Sequence, residues 1–139
     1  MLPKILWLSG SVIFFVLGAI HLYYTFFTGK FRTRNKNAET EMKNTSPVLT
    51  KDTTVWKAWI GFNASHSAGV IFTGLVNGII AVQYFSLLQK SIPLLLLNII
   101  TVLFYLWLAK KYWFKVPFIG ILITACCFIG AAIFIITGR

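Results

Sequence analysis

Carboxylates are the scarcest chemistry in this chain: of 139 residues only Glu39, Glu41 and Asp52 are acidic, and all three lie in one polar stretch. The long apolar runs on either side hold none. A carboxylate proton relay, a carboxylate-bridged metal pair and a two-acid isomerisation site within those runs are thereby excluded, since each needs its acids there. Charge of either sign is sparse as well, at 12% of residues, against roughly 25% in a soluble domain. An ordinary soluble fold is therefore not expected. The two cysteines, Cys126 and Cys127, are adjacent within an apolar run. Helical neighbours point about 100° apart, so a disulfide between them would be strained, and they report nothing about redox compartment. There is no Cys-x-x-Cys-His attachment motif, no Gly-x-Ser-x-Gly elbow around the serines beside His66, and no phosphate-cradling glycine loop. Internal repeats are absent too.

What the chain has in abundance is apolar surface: 58% of residues are hydrophobic and 17% aromatic. Four runs are readable as membrane spans, at about residues 5–27, 58–85, 92–109 and 116–137. At 1.5 Å per residue each can cross a hydrocarbon core about 30 Å thick, the third only just. In lipid every backbone amide must be paired within its own segment, which demands helices for runs of this length. The expected fold is all-α, a single membrane domain over 1–139, built as an up-and-down four-helix transmembrane bundle. Asp52 or Thr53 is the expected cap of the second span. Pro93 and Pro117 fall near the starts of the third and fourth, where a missing amide hydrogen costs little. The apolar run after Lys4 is too long for a signal-peptide core and reads as a retained anchor.

The 13 Lys and Arg give a net charge of +10, yet they punctuate the spans instead of forming a solvated basic face. A nucleic-acid partner is therefore not expected, and the charge reads as topology. Lys30, Arg32, Arg34, Lys36, Lys43, Lys51, Lys57, Lys110, Lys111 and Lys115 fall on one membrane face of an up-and-down bundle; Lys4, Lys90 and Arg139 fall on the other. By the positive-inside rule both termini should be non-cytoplasmic and the loop at about 28–57 cytoplasmic, in a cell (inner) membrane. Trp56, Trp59, Trp107, Tyr112 and Trp113 mark the basic face, Trp7 and Tyr84 the opposite one. The loop is read as a flexible or interfacial linker without its own core, or else as a lid or an anionic-lipid contact.

Helical spacing places the few polar groups of the spans on common faces. Ser11, Phe14, Gly18, His21, Thr25 and Thr28 follow steps of three and four, as do Trp59, Asn63, His66, Val70, Thr73 and Asn77. Leu94, Asn98, Thr101 and Tyr105 do so in the third span, and Pro117, Gly120, Thr124, Cys127 and Ala131 in the fourth. His21, His66, Asn98, Thr101, Thr124 and Cys127 should share a layer roughly 9–17 Å from the cytoplasmic boundary. The bland reading of such a stripe is packing and interhelical hydrogen bonding. Gly74 with Gly78, and Gly61 with Ser65 and Gly69, are read as close-packing positions. Histidines within spans are functional candidates by default. The site read from the sequence is thus His21, His66, Asn63, Thr25, Asn98 and Thr101, with Asn63, Ser65 or Ser67 fixing an imidazole tautomer.

Three functions remain open: a neutral imidazole pocket binding a small molecule or lipid, with or without catalysis; a non-covalent haem or metal site with His21 and His66 as ligands; and a structural or accessory subunit. Two histidines are a weak metal signal, and Cys127 is the only available third ligand. No cofactor is required by the first or third reading. Membrane lipids are the expected partners, with a small apolar ligand and an oligomer open.

The stretch Trp56-Lys57-Ala58-Trp59-Ile60-Gly61-Phe62-Asn63-Ala64-Ser65-His66-Ser67, together with Gly18-Ala19-Ile20-His21, resembles small uncharacterised bacterial four-helix integral membrane proteins that carry a GFNxSH-type motif. The resemblance is best over the first two spans. It implies a membrane location and four spans, assigns no catalytic residue, and favours His21, Asn63 and His66 as one feature.

Overall fold

In a computed structural model, which describes residues 1–138, the chain is all helical among the described residues. The elements are α1 (Leu2–Phe27), α2 (Lys36–Asn44), α3 (Val55–Gln83), α4 (Phe85–Lys90), α5 (Ile92–Tyr112) and α6 (Lys115–Thr137). Arg139, counted above with the basic residues of one face, lies outside the described residues. The four long helices have 26, 29, 21 and 23 residues and are long and apolar enough to cross a membrane. Their outward faces agree with that environment. Val12, Val16, Ile20, Tyr23 and Phe27 form one exposed stripe along α1, and Leu96, Ile100, Leu103 and Trp107 another along α5. Contiguous apolar surface on this scale is ruinous in water and costs nothing in lipid.

Helix boundaries follow local chemistry. The cap of α3 is Thr54, one or two residues beyond the expected Asp52 or Thr53: its hydroxyl accepts from the Lys57 amide at 3.3 Å, and its carbonyl accepts from Ala58 at 3.0 Å. Pro93 lies in the first turn of α5, where Ser91 caps by accepting from the Leu94 amide at 3.3 Å. Two helices were not anticipated. The span read through to Phe85 stops at Gln83, and the chain bends at Tyr84 before the short α4, although no proline or glycine marks the break. Within the polar loop, α2 is capped by Asn35, whose side-chain oxygen accepts from the Asn37 amide at 2.9 Å. Glu39 and Lys43 form an i, i+4 pair along it. None of its residues is buried, so the loop indeed has no core of its own.

The chain divides into two compact units, Met1–Leu17 with the chain from Val70 onward, and Gly18–Gly69. In the first, α5 packs along α6, and α4 contacts both. The buried side of α6, Ile121, Thr124, Ala125, Phe128, Ala131, Ala132 and Ile135, repeats at helical spacing. Trp7 corrects its reading as an interface marker. It is fully buried, stacks on Phe128 with centroids 4.4 Å apart, and donates from Nε1 to Asn77 Oδ1 at 2.9 Å. An indole whose N–H finds an acceptor inside the protein has no need of the interface.

Glycine permits a close helix approach in this unit. A Cβ on Gly74 would lie 2.6 Å from the Phe15 backbone nitrogen, so α1 and α3 meet backbone to backbone there. Gly78 has only Ser11 Cβ at 3.9 Å. The companion reading of Gly61 and Ser65 as packing positions fails in part: nothing lies within 4 Å of a Cβ on Gly61, and Ser65 is exposed.

Candidate functional site

The second unit joins the end of α1, the loop with α2, and the start of α3. Here Asn63 connects to both helices. Its Nδ2 donates to the Trp59 carbonyl one turn back at 2.8 Å, so the side-chain oxygen must be its acceptor end. His21 Nε2–H donates to that oxygen at 3.0 Å. The oriented amide thereby selects the Nε2-protonated form of the His21 ring.

His66, one turn beyond Asn63, meets His21 edge to face, with centroids 5.6 Å apart and planes at 63°. The Phe31 ring lies 4.5 Å from the other imidazole contact, His21, at a tilt of 34°. Phe31 is itself held from α3, because Trp59 Nε1 donates to its carbonyl at 3.2 Å. Trp59 thus serves the cluster twice, through its carbonyl and through its indole. The hydroxyls nearby are committed to their own helices. Thr25 donates to the His21 carbonyl at 2.9 Å, Ser67 to the Asn63 carbonyl at 2.7 Å and Ser65 to the Phe62 carbonyl at 3.1 Å. Of the three residues expected to fix a tautomer, Asn63 does so and the serines do not.

The six residues read from the sequence fall into two groups. His21, Thr25, Asn63 and His66 belong to the second unit. Asn98 and Thr101 belong to the first, where each has a different task. Asn98 Oδ1 accepts from Asn77 Nδ2 at 2.6 Å, and its own amide donates to the Leu94 carbonyl at 2.9 Å. Thr101 donates to the Leu97 carbonyl at 2.8 Å. Trp7, Asn77 and Asn98 form a hydrogen-bonded chain across α1, α3 and α5, with Ser11 donating to the Trp7 carbonyl at 2.7 Å. Both protons of the Asn77 amide are used, the second on the Thr73 carbonyl at 3.0 Å. Such a saturated chain is what a buried polar group in lipid requires, and it reads as architecture.

Phe31 and the double role of Trp59 were missed by sequence reasoning. Phe31 sits among basic loop residues with no periodicity to flag it, and Trp59 looks like an ordinary interface aromatic.

The imidazole pair does not fit axial haem ligation. Their T-shaped contact leaves no layer between the rings, whereas a macrocycle needs one about 3.5–4 Å thick. His21 Nε2 is also occupied by its proton and Asn63. Among the described residues no group of three His, Cys, Asp or Glu side chains comes together to hold a metal ion. No family model, curated protein sequence or solved structure matches this chain.

Proposed function

We propose that the protein is a small integral membrane protein, an up-and-down four-helix bundle, that binds a small molecule or lipid against the imidazole pair of His21 and His66. The observation that carries this reading is the His21–Asn63 hydrogen bond at 3.0 Å beside the His66 ring. Polar groups that serve only to hold helices together need no titratable ring, since Asn, Ser and Thr suffice, as they do at Asn77 and Asn98. Two imidazoles in spans, one held in a chosen tautomer and faced by Phe31, match a recognition surface better than a packing contact.

Charge supports the orientation with both termini non-cytoplasmic and residues 28–57 in the cytoplasm, because ten of the 13 basic residues then lie inside. In this reading the membrane is a bacterial inner membrane, a location supported by the resemblance of the GFNxSH-type stretch to small bacterial membrane proteins. Membrane lipids are its partners in this reading.

His66→Ala and His21→Ala test it. Extracts of the purified protein, analysed by mass spectrometry for co-purifying small molecules and lipids, should show at least a tenfold loss of one species in both variants, with helix content unchanged. Equal retention in wild type and both variants would exclude the pocket.

A further inference from the structure

The second candidate site lies in the other unit and is independent of the histidines. Between α1 and α3 runs a groove of about 330 Å³, walled by Val12, Leu75, Ile79 and Val82 and floored by Gly74 and Gly78. All four wall residues are roughly half exposed, so the groove opens outward from the helices. It runs from Gly74 to Gln83, about 14 Å at the helical rise. That length is close to one leaflet of the hydrocarbon core, about 15 Å.

Width separates the possible occupants. A volume of 330 Å³ open to the centre of a water molecule, over that length and with the water's 1.4 Å radius added all round, leaves a channel about 8 Å across, whereas an α-helix with its side chains needs about 10 Å. A single hydrocarbon chain, about 4 Å thick by carbon contact distance, fits. Of the two floor glycines, Gly74 is already taken up by the Phe15 backbone, and only Gly78 stays open.

The Gln83 end carries a charge. Lys4 Nζ donates to the Val82 carbonyl at 3.1 Å, which holds the ammonium beside that end of the groove. A lysine has three N–H donors, and this contact uses one. Every acidic side chain of the chain lies within residues 39–52, so among the described residues of this unit no Asp or Glu competes for the cation. We propose that the groove seats one acyl chain of an anionic phospholipid, with its phosphate on Lys4. A neutral lipid fills the same groove with a weaker hold on its head.

Native mass spectrometry of the full chain in maltoside detergent, titrated with dioleoyl-phosphatidylglycerol, tests this. Wild type should retain one tightly held lipid. Val12→Trp and Ile79→Trp fill the groove from its open side and should each lower occupancy at least tenfold. Phe72→Trp, exposed on α3 outside the groove, should change it less than twofold. Lys4→Gln should reduce the preference for phosphatidylglycerol over phosphatidylcholine about fivefold, as expected for one cation at an anionic surface. Should one groove variant fail to fold, the other and Leu75→Trp give the answer. Unchanged occupancy in the groove variants, no retained lipid in wild type, or a dimer with a lipid-free groove overturns the proposal. The histidine variants leave this lipid bound, so the two sites fail or survive separately.

Discussion

Asn77 illustrates how much one side chain can carry in lipid. Replacing it with alanine orphans the Trp7 N–H and the Asn98 side-chain oxygen Oδ1 together. An unpaired buried polar group costs about 1–3 kcal/mol, while interhelical hydrogen bonds in membranes average about 0.6 kcal/mol. The first effect dominates here because Trp7 is sealed from solvent and lipid by its stack on Phe128. Asn77→Ala should therefore destabilise by about 2 kcal/mol in detergent-titration unfolding followed by helix content. Thr101→Val, which removes a bond only to its own helix, should stay within about 0.5 kcal/mol. Residues such as Asn77 and His66 were legible because a 3.6-residue period puts them on one face. Trp7 was not, because an aromatic near a helix end has the same sequence context whether it points to the interface or into the core.

Among the helices, α3 offers a graded test with three glycines. Gly74→Ala drives a methyl into backbone atoms of Phe15 at 2.6 and 2.8 Å, which cannot step aside, and should cost about 2 kcal/mol or more. Gly78→Ala and Gly61→Ala meet at most an ordinary contact and should be neutral or stabilising, by up to about 1 kcal/mol, since alanine is the better helix former. The same unfolding assay ranks the three. If Gly74→Ala proves as benign as Gly61→Ala, the close approach of α1 and α3 is wrong. The polar helix α2 responds to pH instead. The hydrogen bond from Lys43 holds the Glu39 carboxyl below the usual carboxylate range. A depressed folded value means the contribution is present above the ordinary glutamate range and lost as pH falls through the lowered one. Cα chemical shifts over residues 36–44 should stay helical through neutral and mildly acidic pH and drift toward coil only once the pH has fallen below the ordinary glutamate range. Coil-like drift already at pH 6 would show that another group governs the helix. The four long helices were legible from run length alone, whereas α2 and α4 were not. α2 announces itself only by the Asn35 cap and the Glu39–Lys43 spacing, and the Tyr84 bend has no breaker residue.

For the whole molecule, the proposed orientation rests on where the basic residues fall. In a variant with Cys126 and Cys127 replaced by alanine, a single cysteine at Ser46 should resist a membrane-impermeant maleimide applied to intact cells, while one at Gly138 should react. The reverse pattern would invert the topology. The candidate site was legible as a list of polar residues and illegible as a geometry. Stripe and depth put His21, Asn63 and His66 together, and they do meet. The same reasoning gathered Asn98 and Thr101 into that site, yet their bonds are made inside the other unit, because height along a helix says nothing about which neighbour a side chain faces.

The amide of Asn63 has one further consequence. Since its NH₂ end is spent on the Trp59 carbonyl, exchange to aspartate sets an oxygen against an oxygen at one end while preserving the acceptor at the other. Exchange to leucine removes both. Nitrogen-15 spectra of the labelled imidazole should therefore report a single dominant tautomer in wild type and a mixture in Asn63→Leu. The placement of one proton on α1 is dictated by a main-chain carbonyl on α3, a form of remote control exercised by the peptide backbone itself.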